Sequence, residues 1–239
     1  MNYSDNNAPL GVGGEKYGRT YHYPFSPGTT SDDRINYEYW NDLQQIEQLI
    51  HTEKLDGENN CLNKYGVFAR SHAAPTTSPW TATIRQYWQQ VKNDLGELEI
   101  FVENCYAIHS LQYTLLEHHF YVFAVRLQDK WLSWEETLFY AAMLDLPVVP
   151  EIAVVPKPVD KALFEKGILQ IVAGAGAFAP VDTATQQPAA MEGLVTRNAA
   201  SYKTEAFKPN VFKYVRKGHV RTDAHWTRNW GRARLKGEG

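Results

Sequence analysis

The sequence predicts an α+β fold, and three observations carry that expectation. Strand-like and helix-like segments are intermixed without the regular alternation of a doubly wound sheet. Two segments, Ser78-Pro79 and Ser133-Trp134-Glu135-Glu136, carry explicit helix-start chemistry. Finally, 44% of the 239 residues are apolar, enough to bury a sizeable core in one large domain or one domain with a small appendage.

Residues 1–35 are rich in Gly, Pro, Ser and Asn, with several aromatics, and read as an irregular leader packed on the domain. Residues 48–56 form a strand-like run, closed by the turn-prone Gly57-Glu58-Asn59-Asn60. Segments 61–65 and 67–70 supply two further short strands around Gly66. The clearest helix is expected over 79–95. Ser78 stands at the N-cap, Pro79 at the first helical position, and Gly96 at the stop, while Trp80, Ile84, Tyr87, Trp88, Val91 and Leu95 keep one apolar stripe. Residues 98–105 and 120–127 read as buried strands. The Ser133/Glu136 spacing is that of a capping box, so a helix should span 134–144. Pro147, Pro150, Pro156 and Pro158 punctuate an extended segment, and a second helix is expected over 161–172. Gly174-Ala175-Gly176 ends it; like Gly11-Val12-Gly13-Gly14 it lacks the Gly-Lys-Ser/Thr of a phosphate-binding P-loop and reads as a plain loop. Strands at 192–197 and 211–216 complete the pattern, and there is no internal repeat.

The net charge of -3 argues neither for nor against nucleic acid. Its distribution says more: from Phe207 onward there are nine basic residues (Lys208, Lys213, Arg216, Lys217, Arg221, Arg228, Arg232, Arg234, Lys236) against Asp223 and Glu238, with Trp226 and Trp230 interleaved. Such a stretch suits phosphate contacts and base stacking; a solvated tail would look the same. Cys61 and Cys105 form neither a disulfide scaffold nor a metal cluster and read as small apolar core residues. His109, His118 and His119 match no zinc spacing. The first residues have neither a basic start nor an apolar run, and no stretch approaches the roughly 18 apolar residues of a membrane span, so a soluble, intracellular protein is expected.

The segment that carries chemistry is Glu53-Lys54-Leu55-Asp56-Gly57-Glu58-Asn59. Lys54 and Asp56, two apart on an expected strand, should project to one face, and Gly57 opens a sharp turn. A lysine amine attacks phosphorus only when deprotonated, so its ordinary pKa of about 10.4 must come down. Neighbouring cations and a closed site do that, and Mg²⁺ with basic residues neutralises a triphosphate under attack. Lys-x-Asp-Gly alone is a weak signal that any charged hairpin turn could satisfy; its company decides. Arg70 follows in Val67-Phe-Ala-Arg-Ser71, then Glu99-Ile-Phe-Val-Glu-Asn-Cys-Tyr106, then Phe120-Tyr-Val-Phe-Ala-Val-Arg126. Glu192-Gly-Leu-Val-Thr-Arg197 and Phe212-Lys-Tyr-Val-Arg-Lys217 come last.

This succession resembles the ordered motifs I, III, IIIa, IV and V of the covalent nucleotidyltransferases, and in detail the RNA ligase 2-like family of ATP-dependent RNA ligases, over about residues 45–225. The resemblance implies an adenylation domain of the ATP-grasp-like ligase type, with antiparallel sheets flanked by helices. It implies that Lys54 forms a lysyl-AMP, that Glu53 sits near the adenine amino group, and that Asn59 helps place the phosphate or the receiving RNA end. Asp56 would act beside the nucleophile, Arg70 would contact nucleotide and RNA phosphates, Glu103 the ribose, and Phe123 the adenine face. Glu192 would help hold Mg²⁺ or Mn²⁺, and Lys213 would contact the AMP phosphate. One departure stands out: relatives commonly carry a second lysine where this chain has Val215. Of the adjacent Arg216 and Lys217, only Lys217 shares the face of Lys213 on a regular strand, and it is the expected substitute.

The activity implied is sealing of RNA 5′-phosphate and 3′-hydroxyl ends, with ATP and Mg²⁺ as cofactors and RNA as partner, no membrane, no obligatory protein partner, and a cytoplasmic setting in a bacterial or phage-infected cell. A leader at 1–35, a nucleotidyltransferase domain at 36–225 and a short basic tail at 226–239 leave no separate C-terminal domain, so a minimal ligase is expected. The alternatives are a DNA ligase or a capping guanylyltransferase on the same fold, or an RNA-binding relative that no longer reacts.

Overall fold

The computed structural model describes residues 16–71, 73–217, 227 and 230–238. In chain order the described elements are β1 (Tyr21–His22), α1 (Tyr39–Leu43), β2 (Gln48–Lys54), β3 (Glu58–Asn63), β4 (Gly66–Ala69), α2 (Ala82–Val91), β5 (Leu98–Asn104) and β6 (Leu111–Tyr113). There follow β7 (Phe120–Leu127), β8 (Lys130–Trp131), α3 (Trp134–Met143), β9 (Glu151–Pro156), α4 (Lys161–Val172), β10 (Pro180–Asp182), β11 (Gly193–Asn198), β12 (Tyr202–Lys203) and β13 (Val211–Val215).

Local chemistry accounts for the helices. Ser133 Oγ accepts the Glu136 N–H at 3.1 Å while the Ser133 N–H donates to Glu136 Oε2 at 2.7 Å, a reciprocal capping box that opens α3 and contributes about 1 kcal/mol. Asp160 Oδ1 caps α4 by accepting from Leu163 N–H at 2.9 Å. The helix expected over 79–95 is shorter. Ser78 makes no side-chain cap; Thr81 N–H and Thr81 Oγ1 both donate back to the Ser78 carbonyl, at 3.0 and 2.7 Å. That i→i+3 geometry makes Pro79–Thr81 a 3₁₀ turn, and α2 runs only from Ala82 to Val91.

Two antiparallel sheets face each other. One has the order β1-β13-β11-β2-β9, the other β12-β8-β7-β5-β3-β4, and β6 and β10 pair outside both as a ribbon. Only β1, against β13, runs parallel among the named pairs. Ile50, Phe101, Tyr121, Phe123 and Val211 form a core between the sheets. Leu62, Ile100 and Val122 pack outward on Ile84 of α2 and Ala141 of α3, and Leu49, Leu194, Phe212 and Tyr214 pack outward on Leu43 of α1 and Ile168 of α4. Each such fully buried side chain contributes about 1.5–3 kcal/mol.

The leader is less irregular than its composition suggests. β1 joins the first sheet, and Tyr23 is fully buried among the rings of Phe25, Tyr39 and Phe212. At the other end, Gly231 and Tyr106 carbonyls accept from Ile108 and Ala233 N–H at 2.9 and 2.8 Å, which lays residues 230–236 along the segment after β5. Arg221, Asp223, Trp226 and Arg228 of the basic stretch lie outside the described residues. Among those described, no helix is long and apolar enough to cross a membrane.

Candidate active site

Between the two sheets lies a cavity of about 650 Å³, lined among others by Glu53, Lys54, Asn59, Arg70, Glu103, Phe123, Arg197 and Lys213. Strand pairing brings these together from across the chain. Lys54 ends β2 opposite Gly193 of β11, and Val195 of β11 is paired with Lys213 of β13. Asn59 on β3 is paired with Glu103 on β5, which is paired with Tyr121 on β7. The first sheet thus presents Lys54 and Lys213 across the cavity from Asn59, Glu103 and Phe123 of the second.

Lys54 Nζ donates to Glu192 Oε2 at 2.7 Å. Burial alone would lower the lysine pKa, but the Glu192 and Glu103 carboxylates outweigh it and hold the amine above its ordinary value. The carboxylates are themselves perturbed: burial pushes Glu103 up to about 7 and Glu192 up to about 8, in spite of Lys54. Gly57 N–H donates to Glu103 Oε1 at 3.0 Å. Any Cβ at Gly57 would come within 2.7 Å of the Asn104 carbonyl, so only glycine lets the turn lie flat on β5. Glu53 is buried, accepts Ala177 N–H at 2.8 Å through Oε2, and has its pKa raised by that burial. Lys213 is lowered by burial although it pairs with Asp33 at 3.2 Å. His22 Nε2 lies 3.1 Å from the same Asp33 carboxylate, and burial, then Lys213, push His22 down to about 4.

Among the described residues no three His, Cys, Asp or Glu side chains converge as a metal cage. Mg²⁺ seldom needs one, since it takes one or two carboxylates and fills its shell with waters and substrate phosphate oxygens. Glu192, buried, and Glu103, half-buried, are carboxylates beside Lys54 that fit that donor set.

Two geometric expectations are corrected. β2 ends at Lys54, so strand alternation does not reach Asp56; its carboxylate turns away to accept Ser110 Oγ at 2.7 Å and Leu111 N–H at 2.8 Å, with His109 Nδ1 at 3.9 Å. Likewise β13 ends at Val215, and Lys217 is exposed and not among the cavity-lining residues, so it does not share a strand face with Lys213. Several lining residues had no assignment from sequence. Arg197 is buried, donates to the Phe123 carbonyl and to Thr52 Oγ1 (3.1 Å), and lies over the Trp134 ring. A cation inside an apolar strand was its one visible signal. Tyr17 of the leader lines the cavity with its ring edge-on to Phe123 at 5.1 Å, and Asp33 arrives from the same leader. His109 also lines it.

Two facing antiparallel sheets with outer helices thus enclose a cavity lined by a lysine, a fold shared with the ligase nucleotidyltransferases. The model of the RNA ligase family matches residues 47–215, and the chain belongs to that family. No curated protein sequence matches it. Among solved structures it is similar to an archaeal ATP-dependent RNA ligase (TM-score 0.52, 13% identity, 84% of this chain and 48% of that one). It is similar to a mutant of Naegleria gruberi RNA ligase with ATP and Mn (TM-score 0.53, 15% identity, 88% of this chain and 58% of that one). It is also similar to a putative ATP-dependent DNA ligase from Aquifex aeolicus (TM-score 0.50, 15% identity, 84% and 50%). The chain therefore spans about half to three-fifths of the length of these structures.

Proposed function

We propose that this chain is an ATP-dependent RNA ligase that joins 5′-phosphate and 3′-hydroxyl RNA ends through an AMP carried on Lys54. The observation that carries the reading is the Lys54 amine at the cavity wall, 2.7 Å from Glu192 and in the field of Glu103, with Lys213 and Arg70 also lining the space where phosphates would lie. Family membership and the ligases of similar fold support it.

In the first step Lys54 Nζ attacks the α-phosphorus of ATP; an N–P bond forms and the bond to pyrophosphate breaks. The amine must first give up its proton, and Glu192 Oε2 is the adjacent acceptor. Burial favours the neutral amine, against the carboxylates that hold it charged. Bound Mg²⁺ would neutralise phosphate charge, held by Glu192 and Glu103. Phe123 and Glu53 would bind the base, Glu103 the ribose, and Lys213 the α-phosphate. In the second step AMP passes to an RNA 5′-phosphate, with Asn59 and Arg70 placing that end. In the third, a 3′-hydroxyl attacks the activated end and expels AMP. All three steps put charge on phosphoryl oxygens, so orientation and preorganised positive charge do most of the catalysis.

The test is to incubate the protein with Mg²⁺ and α-phosphate-labelled ATP or GTP, denature it, and follow acid-labile label with and without Lys54→Ala. Label from ATP alone, lost in the variant and discharged on nicked RNA, is the expected result. Label from GTP would move the chemistry to capping, discharge only on nicked DNA would make it a DNA ligase, and no label from folded protein would refute the enzyme.

A further inference from the structure

The loop 173–179, which joins α4 to β10 and reads in sequence as a plain connector, closes over Glu53. Glu53 lines the cavity at the end of β2, its backbone N–H bonded to the Pro150 carbonyl at 2.9 Å, next to Val149 of the cavity wall. Oε2 is taken by the Ala177 N–H at 2.8 Å. Oε1 is buried and has no hydrogen-bond donor among the described residues. Gly176 lies directly against that second oxygen: a Cβ there would come to 2.5 Å from Oε1 and to 3.1 Å from Pro180 Cδ and Cγ. The loop is itself held from outside. The Phe178 carbonyl accepts from Thr114 and Leu115 N–H at 3.1 and 3.2 Å, the Phe178 ring packs on Tyr121 at 4.9 Å, and Ala179 N–H returns to the Gly176 carbonyl at 3.2 Å. Glu53 is therefore clamped in one orientation, with one buried acceptor still asking for a donor.

We propose that Gly176 and Ala177 are specificity-determining positions that make the cavity select a 6-amino purine over a 6-oxo purine by fixing the Glu53 carboxylate; this rests on the adenylation reading above. A 6-amino group brings the donor that the buried oxygen lacks. A 6-oxo group would set two acceptors against each other, and sites built to hydrogen-bond a ligand N–H reject analogues that lack it by large factors. Neither residue touches the nucleotide; both act through Glu53, so they are positioning residues.

The experiment measures equilibrium binding of ATP and of GTP to the Lys54→Ala protein, which cannot react, with and without Gly176→Ala. Gly167→Ala, a helical site where an added Cβ meets nothing within 4 Å, is the control. Gly176→Ala is expected to weaken ATP at least tenfold and to leave GTP within threefold, so that discrimination narrows, while Gly167→Ala changes neither. Ala177→Pro, which deletes the N–H on Oε2 and also fixes the backbone there, is expected to narrow it too and carries the test if Gly176→Ala does not fold. Unchanged discrimination in either folded variant, or an equal loss for both nucleotides, would overturn the assignment. Selective ATP binding that narrows in the variants, together with no covalent label on protein that retains Lys54, would leave base selection standing and refute the adenylation reading instead.

Discussion

Arg126 and Glu99 meet at 2.6 Å, Lys54 and Glu192 at 2.7 Å, yet the surroundings of the two pairs differ in kind. The Arg126 guanidinium lies over the rings of Phe101 and Trp131, at 5.3 and 4.9 Å, and pairs with Glu99. It is closed off, with Arg126 only 2% exposed. Lys54 is 27% exposed to the cavity and feels Glu192, Glu103 and Asp56 together. One cation among three carboxylates is a poor way to stabilise a fold, because burial penalises the acids' charge and a single amine balances it only in part. It is a good way to hold a site ready for a nucleotide that arrives with a divalent cation. A buried pair is thus structural when its charges cancel within the protein and functional when they cancel only with a ligand added.

The comparison breaks most sharply on exchange to alanine. Lys54→Ala should abolish covalent labelling while shifting the melting temperature by only a few degrees, since Glu192 and Glu103 can neutralise by taking up protons. Arg126→Ala should do the reverse. Stranding a partner of a buried pair costs about 3–5 kcal/mol, a fall of roughly 10 °C for a chain of this size, whereas labelling measured well below the melting point should persist. Loss of labelling in folded Arg126→Ala would show that the two pairs are coupled and the distinction is false.

The charge excess also predicts a pH profile. The carboxylates hold the Lys54 amine above its ordinary value against the effect of burial, so below that value the neutral fraction rises about tenfold per pH unit. The rate of label formation under single-turnover conditions should climb accordingly through the neutral range. Glu192→Gln removes the strongest of those carboxylates and should move the profile to lower pH even though its maximum falls. A profile that stays in place would mean that Glu192 does not control the nucleophile.

Glu103 sharpens the same point through stability. Its folded pKa of about 7 lies above the ordinary value of 4.5, so between those pH values the folded state binds more protons than the unfolded state. Stability contributed by this group is present below pH 4.5 and is lost as pH rises through 7. Glu103→Gln retains an oxygen for the Gly57 N–H and should be more stable than the parent by about 3 kcal/mol at pH 8, with the difference gone near pH 4.5, and should label more slowly. Thermal melts at the two pH values decide it, and equal melting temperatures at pH 8 would refute the surplus-charge account.

How much of this was legible depended on the range of the signal. The 161–172 helix and the 120–127 strand have the expected bounds because caps and apolar runs are local. Lys54, Glu103, Phe123 and Lys213 could be proposed as one site from motif order, which stands in for strand pairing that no local pattern reveals. β6 and β10, of three residues each, are too short to show a period of two, so the ribbon that carries the loop over Glu53 went unseen. Tyr17 and Asp33 were invisible because a Gly- and Asn-rich leader gives no hint that its aromatics and acids fold back into the cavity.

The smallest effect is expected where sequence alternation was extended past the end of a strand. Lys217 would stand in for the missing second lysine only if β13 continued to it, but the strand stops at Val215 and Lys217 is exposed, outside the cavity lining. An exposed charge at that remove is screened by salt within about a Debye length. Lys217→Ala should therefore change lysine labelling by less than twofold, whereas Lys213→Ala should lower it at least a hundredfold by deleting a cation that lines the cavity. A large loss in Lys217→Ala would mean that nucleotide binding draws this segment inward, and that the charge balance of the occupied cavity differs from that of the open one.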